Sequence, residues 1–186
     1  MGHRNTQGIS VVLPTYNERE NLPRVLNRID DVFETVARPY EAIVVDDDSP
    51  DGTWELAQSL CDRYPLRVIR RTTESGLASA VVTGFQAASY DSILVIDADM
   101  QHPPERIPAL LNAMKSGHDI AIGSRFVEGG STGQFSVVRL TISKTANALA
   151  KILFPKLRGI SDLQSGFFVF NRSVIRDANL SPVGYK

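Results

Sequence analysis

Acidic side chains in this chain gather directly behind apolar runs. Ile93, Leu94, Val95 and Ile96 lead into Asp97-Ala98-Asp99, then Met100-Gln101-His102, a Pro103-Pro104 step and Glu105. Ile9 to Leu13 leads into Pro14-Thr15-Tyr16-Asn17-Glu18, and Glu41 to Val45 into Asp46-Asp47-Asp48-Ser49-Pro50-Asp51-Gly52-Thr53. A carboxylate is costly to bury without a partner, so each group belongs at the end of its strand. In an open α/β sheet that end is where ligands bind. Three parallel strands would bring all three groups to one edge, and the crevice there would collect at least five carboxylates. Like charges at that density raise one another's pKa, so a divalent cation or donors from a ligand must keep them ionised. All-oxygen ligands suit Mg²⁺ or Mn²⁺ rather than zinc. A lone Asp-x-Asp is as readily a cap or a turn; the coincidence of three groups favours a site.

Neither a Gly-x-Gly-x-x-Gly after the first strand nor a Gly-x-x-x-x-Gly-Lys-Ser/Thr occurs, so dinucleotide and P-loop binding have no support. Phosphate would then be held by metal and arginine, whose planar fork grips phosphate oxygens in pairs. The candidates are Arg125, in Gly123-Ser124-Arg125, and Arg139; for either one the alternative is a solvated surface charge. His102 is read as a donor behind the ligands, with direct ligation or a place at a helix start as alternatives. Asp162, ahead of Ser165-Gly166-Phe167, has the spacing of a cap or turn residue.

The elements that must position these residues alternate β-α from Ile9 to Gly123. Asn17 is placed as cap of a helix from Glu18 to Val36, whose stripe is Leu22, Val25, Leu26, Ile29, Val32, Phe33 and Val36. A helix over Trp54 to Arg63 follows, capped by Thr53 or Asp51, then a strand at Leu66 to Arg70. Ser75-Gly76-Leu77 opens a small-residue helix reaching Ala88, whose N-terminus could face an anion. A helix at Pro103 to Ser116 and a strand at Asp119 to Gly123 complete the series. This predicts a mostly parallel sheet flanked by helices, as one domain from residue 9 onward, with residues 1–8 a flexible N-terminus. Phe126 to Phe135 reads as a glycine-rich functional loop. Arg139 to Phe154 reads as an amphipathic helix, packed on the core or lying beside a membrane. Gly166 to Phe170 is a last strand, and Arg172 to Ala178 begins another helix.

Bulk composition narrows the partners less than the motifs do. The 186 residues suit one core, and Lys plus Arg number 20 against 21 for Asp plus Glu, so nothing favours nucleic acid. The single cysteine, Cys61, excludes an internal disulfide and a multi-thiolate metal site; its spacing with Leu56, Ala57, Leu60 and Tyr64 predicts a buried structural thiol. No stretch reaches the roughly 18 apolar residues of a membrane span, and the first residues lack a signal peptide's apolar run. The expectation is a soluble, unexported, cytoplasmic chain. Met1, Gly2 and Thr6 match an N-myristoylation pattern formally, though a frayed terminus or tag remnant explains them as well.

In this order the motifs resemble the family-2 glycosyltransferases, and within them the polyprenyl-phosphate (dolichol-phosphate) mannose synthases. The resemblance spans Ile9 to Lys186. It implies a GT-A fold, a Rossmann-like α/β domain, and an inverting transfer of a hexose, mannose from GDP-mannose first, to the phosphate of a polyprenyl lipid. By likeness Pro14, Tyr16, Glu18, Val45 and Asp47 line the nucleoside pocket, with Asp47 reading the base. Asp97, Asp99 and Gln101 hold Mg²⁺ or Mn²⁺ against the diphosphate, with Ala98 and Arg125 also on the nucleotide sugar; Arg125 and Arg139 hold the lipid phosphate and, with Asp99 and Asp162, make up the catalytic set. Asp162 matches the family's Asp before Ser-Gly-Phe and would orient groups, because a phosphate acceptor is already anionic and needs little help from a base. Leu163-Gln164, and Phe135 where many members have Trp, depart from the family pattern on the acceptor side. Pro182 to Lys186 stop inside a motif that in the family leads to another strand and membrane-facing helices, so a truncated domain at a membrane surface is expected. Three alternatives differ in chemistry: a UDP-glucose-dependent transferase, a phosphatase with Asp97 as nucleophile, and a nucleotide-sugar-binding fragment without turnover.

Overall fold

The computed structural model describes residues 8–124, 159, 161–163 and 165–175. The apolar runs form strands β1 (Ile9–Thr15), β2 (Tyr40–Asp46), β3 (Leu66–Arg70), β4 (Ser92–Ile96), β5 (Ile120–Ile122) and β6 (Phe167–Asn171). Between them lie helices α1 (Leu22–Val36), α2 (Thr53–Ser59), α3 (Leu77–Ala87) and α4 (Ile107–Lys115), with 3-10 turns at Pro104–Arg106 and Arg172–Ile175. The strand order is β3-β2-β1-β4-β6-β5.

Alternation along the central strands sends successive side chains to two cores. Val11, Leu13, Ala42, Val44, Leu94 and Ile96 pack with Leu22, Val25, Leu26, Ile29, Ile107 and Leu111, so α1 and α4 cover one face. Val12, Ile43, Val45, Ile93 and Val95 pack with Ala80, Phe85 and Ala88 of α3 on the other. Helices on both faces of a mostly parallel sheet are the predicted α/β class.

Several boundaries differ from expectation. β1 continues through Pro14 to Thr15, because β4 pairs with it only as far as Val12 and no ladder is interrupted beyond that point. Asn17 does not cap α1: it has φ 60°, and its N–H donates to Ser49 Oγ at 3.0 Å. The helix begins four residues after Glu18, behind a turn closed by Glu18 C=O, with Pro23 in its first turn. Because α2 ends at Ser59, the helical spacing that would have buried Cys61 is lost, and its thiol is exposed. Pro103 to Arg106 are extended and then 3-10 rather than α-helical. β6 inserts between β4 and β5, antiparallel to both, so β5 does not adjoin β4. The predicted loop at 126–135, the amphipathic helix at 139–154, residues 1–7 and the chain beyond 175 lie outside the described residues. Gly8, assigned to the flexible terminus, is buried against the Tyr90 ring. No helix among the described residues is long and apolar enough to cross a membrane.

Candidate active site

The loops after β1, β2 and β4 meet at the C-terminal edge of the sheet. Each contains one non-glycine residue of positive φ, Asn17 (60°), Asp48 (55°) and Met100 (62°). Left-handed backbone at such residues persists only where surrounding structure over-determines it. The first two loops are stitched together: Asp47 N–H donates to Thr15 C=O at 3.1 Å, Glu18 N–H to Thr53 Oγ1 at 3.0 Å, and Arg19 N–H to Asp51 Oδ2 at 3.1 Å. Asp51 Oδ1 also accepts from Thr53 N–H and Oγ1 and so braces the loop before α2, but the helix N-cap is Gly52 (φ 80°), not Thr53 or Asp51 as expected.

Between these loops and α3 opens a cavity of about 290 Å³, near the lower end of ligand-pocket volumes. β1 and its loop contribute Pro14, Thr15, Tyr16 and Glu18; the loop after β2 contributes Asp47; α3 contributes Leu77 and Ala80; the chain after β4 contributes Asp97, Ala98 and Asp99. Tyr16 and Leu77 stand at its mouth 55% and 57% exposed, an apolar surface suited to covering a flat ligand face.

Four carboxylates therefore converge, Glu18, Asp47, Asp97 and Asp99, rather than the five or more predicted. The three adjacent aspartates have separate fates. Asp46 is fully buried on the α1 face, where it accepts from Thr15 Oγ1 (2.8 Å), Ser49 N–H (2.8 Å) and Ser49 Oγ (2.7 Å) and builds the loop. Asp48 faces solvent and pairs with Arg70 at 2.5 Å, whose guanidinium lies 4.0 Å from the Trp54 ring centroid. Asp47 alone reaches the cavity. It accepts Gly76 N–H at 2.6 Å on Oδ2 and the Arg71 guanidinium on Oδ1, through Nε at 2.7 Å and Nη2. The anion anticipated at the start of α3 is thus a carboxylate of the chain itself.

Arg71 is the residue that sequence reasoning missed. Its side chain is 5% exposed, and it also donates to Ser79 Oγ (2.9 Å) and Gly76 C=O (3.0 Å). The sequence offered only a partial signal: two successive arginines at a strand end point to opposite faces, so they meet different surroundings. Thr15, which lies inside the Pro14–Glu18 motif but was assigned no role, and Leu77 and Ala80 are further lining residues.

Burial first, then repulsion from Asp99 and Asp51, raises the Glu18 carboxyl above its ordinary value of 4.5 against the bond donated by Asn21. A cation beside Asp99 would relieve that repulsion, and hard carboxylate oxygens suit one. Among the described residues no three His, Cys, Asp or Glu side chains converge as a metal cage.

The remaining predicted residues lie apart from the cavity wall. Val45 is wholly buried in the core beneath it, packed with Ala80. Gln101 is half-buried outside the lining, its N–H donating to Asp99 Oδ1 at 3.0 Å. His102 is 5% exposed, its ring 5.5 Å from that of Phe167. Asp162 is 1% exposed and does not line the cavity. Arg125 and Arg139 lie outside the described residues.

Known proteins agree with this architecture. The family model described as Glycosyl transferase family 2 matches residues 10–178. The chain is 52% identical over 178 residues to a dolichol-phosphate mannosyltransferase of Pyrococcus furiosus, covering 96% of this chain and 50% of that one. To a polyprenol monophosphomannose synthase of Mycolicibacterium smegmatis it is 40% identical over 188 residues, covering 98% and 69%. It thus spans about half the length of the first of these curated relatives. Glucosyl-3-phosphoglycerate synthase of Mycobacterium tuberculosis, solved with phosphoglyceric acid, superposes with TM-score 0.69 at 25% identity, covering 91% of this chain and 58% of that one. The same enzyme with Mn²⁺, UDP-glucose and phosphoglyceric acid gives 0.70 at 24% over the same shares, a likeness of fold, the GT-A arrangement of a single domain. With the family model covering most of its length and relatives at 52% and 40% identity, the chain belongs to glycosyl transferase family 2.

Proposed function

We propose that this chain is the donor-binding part of an inverting transferase that moves a hexose, mannose from GDP-mannose, onto the phosphate of a polyprenyl lipid at a membrane surface. The observation that carries the reading is the cavity where Glu18, Asp47, Asp97 and Asp99 meet at the C-terminal edge of the sheet. Such a wall repels a nucleoside diphosphate unless a divalent cation lies between, so donor binding depends on Mg²⁺ or Mn²⁺. Asp97, Asp99 and Gln101 would hold the ion. When bound, the ion neutralises charge developing on the leaving diphosphate. Asp47, held by Arg71 and the start of α3, reads the base, and Pro14, Tyr16, Glu18 and Ala98 frame the nucleoside, with Val45 in the core beneath them. The two curated relatives with mannosyl names support mannose and a polyprenyl phosphate as the substrates.

Transfer is a single displacement. An anionic acceptor oxygen bonds to the anomeric carbon as that carbon's bond to the diphosphate oxygen breaks, and the configuration inverts. No proton moves, so Asp162 orients groups rather than acting as a base. Arg125 and Arg139 are assigned to the acceptor phosphate on the family resemblance.

Thermal unfolding with GDP, UDP and their sugars, with and without Mn²⁺, tests the reading. Ligand at about 100 times its Kd adds roughly 2.7 kcal/mol, or about 5–11 °C for a chain of this size. GDP-mannose with Mn²⁺ is expected to give that shift, and Asp97→Ala or Asp99→Ala to abolish it. Stabilisation by UDP-glucose alone would transfer the reading to a glucosyl donor, and binding of equal strength without metal would overturn it. Labelled GDP-mannose with a polyprenyl phosphate then reports transfer directly.

A further inference from the structure

The Ser165-Gly166-Phe167 turn opens β6, and it touches the donor side of the crevice at one point. β4 and β6 pair antiparallel with Ile96 opposite Phe167, so the next step outward sets Asp97 opposite Gly166. Asp97 N–H donates to Gly166 C=O at 3.2 Å, which continues the ladder by one bond. Directly opposed residues of an antiparallel pair share a face, with Cβ atoms about 5 Å apart. Here the Asp97 carboxylate lies across the partner instead. A Cβ on Gly166 would stand 1.8 Å from Asp97 Oδ2, 2.2 Å from Cγ and 2.4 Å from Oδ1. Gly166 has no positive φ, so its backbone conformation is open to alanine, and the missing side chain serves space alone. The turn itself is pinned: Ser165 Oγ donates to Gly123 C=O at 2.6 Å, and Phe167 N–H donates to Ser165 Oγ at 3.2 Å. The Gly166 backbone therefore has little room to retreat, and in a clash the carboxylate is the group that moves.

We propose that Gly166 is a positioning residue for Asp97: the space of its missing Cβ seats the carboxylate in the orientation needed for cation-dependent diphosphate binding. This inference rests on the assignment of Asp97 to that role. It makes β6, the antiparallel neighbour of β4, a determinant of donor affinity. Losing the feature that orients a metal-liganding side chain costs roughly 10- to 100-fold in metal affinity.

The test is Gly166→Ala, titrated with GDP in the presence and absence of Mn²⁺ by calorimetry, with the unfolding midpoint recorded alongside. The expected result is a 10- to 100-fold loss of the Mn²⁺-dependent affinity, with metal-free binding of guanosine and the unfolding midpoint close to wild type. Equal Mn²⁺-dependent affinity in the two proteins would overturn the inference, as would a parallel loss of guanosine binding. If Gly166→Ala instead folds poorly, Asp97→Ala/Gly166→Ala decides: recovered stability upholds the contact, and none refutes it. Should wild type itself bind no nucleotide with Mn²⁺, the proposed function fails, while the stability of the Asp97→Ala/Gly166→Ala pair still reports the contact.

Discussion

Arg71→Met tests the architecture of the Asp47 side of the cavity most sharply. The substitution keeps the length and apolar stem of the side chain while removing its charge and its donors to Asp47, Ser79 and Gly76 C=O. Both members of the pair are shielded, with side chains 5% and 10% exposed, so solvent replaces little of what is lost. Breaking a buried pair by removing one partner costs about 3–5 kcal/mol, because the other charge is left uncompensated. Asp47 keeps its bond from Gly76 N–H at 2.6 Å and borders the open cavity, which argues for the lower end, about 3 kcal/mol. At about 2–4 °C per kcal/mol for a chain of this size, the midpoint falls by roughly 6–12 °C. Urea unfolding followed through Trp54, the single tryptophan, and through circular dichroism gives the number. Asp47→Asn removes the orphaned charge, so in the Arg71→Met background it should restore about 1–2 kcal/mol. A loss below about 1 kcal/mol for Arg71→Met, or a double variant less stable than Arg71→Met alone, would refute a charge-compensating role for Arg71.

Gly84→Ala normally gains about 1 kcal/mol inside a helix, yet here the added Cβ would stand 2.3 Å from Val12 Cγ1. Val12 is fully buried and stiff at χ1, so overpacking of about 1–3 kcal/mol dominates; the variant should be less stable by thermal unfolding, and a gain would contradict the close seat of α3 on β1. Arg28 grips Glu105 with two bonds, Nε to Oε1 at 2.7 Å and Nη2 to Oε2 at 2.5 Å, tying α1 to the end of the Asp97–Glu105 loop. The hydrogen bond from Arg28 holds the Glu105 carboxyl below its ordinary value of 4.5, so the pair's contribution is present above that value and is lost as pH falls through the lower folded-state value. With the side chains 33% and 54% exposed, screening limits that contribution to about 1 kcal/mol at most. The stability gap between wild type and Glu105→Gln should accordingly be open at pH 7 and close in acid; a gap indifferent to pH would argue against the ion pair.

How much of this could be read in advance differs from element to element. The buried strands were legible because Ile93 to Ile96 and Ile9 to Leu13 are unbroken apolar runs. Helix starts were less so: Asn17 and Asn21 are equally good caps in a string of letters, and the choice fell to Ser49 and Thr53, more than thirty residues away, which fix the backbone at Asn17 and Glu18. Cys61 was misread because helical spacing carries no information once the helix has ended at Ser59. Of the assigned site residues, Pro14, Tyr16, Glu18, Asp47, Asp97, Ala98 and Asp99 share one cavity wall. Val45 and Gln101 do not line it, since one faces the core beneath and the other follows a left-handed turn at Met100.

By itself the sequence determined that carboxylates end three buried strands, that the strands alternate with helices, and that one edge would therefore be acidic. These are local consequences of apolar runs, period-two alternation and turn chemistry. Only the tertiary structure decided which of Asp46, Asp47 and Asp48 faces the cavity, that Arg71 is buried behind it, and that Gly166 lies against Asp97. Each of those outcomes depends on contacts between elements 20 to 70 residues apart, set by how α3 and β6 dock on the sheet. No local pattern encodes such a distance.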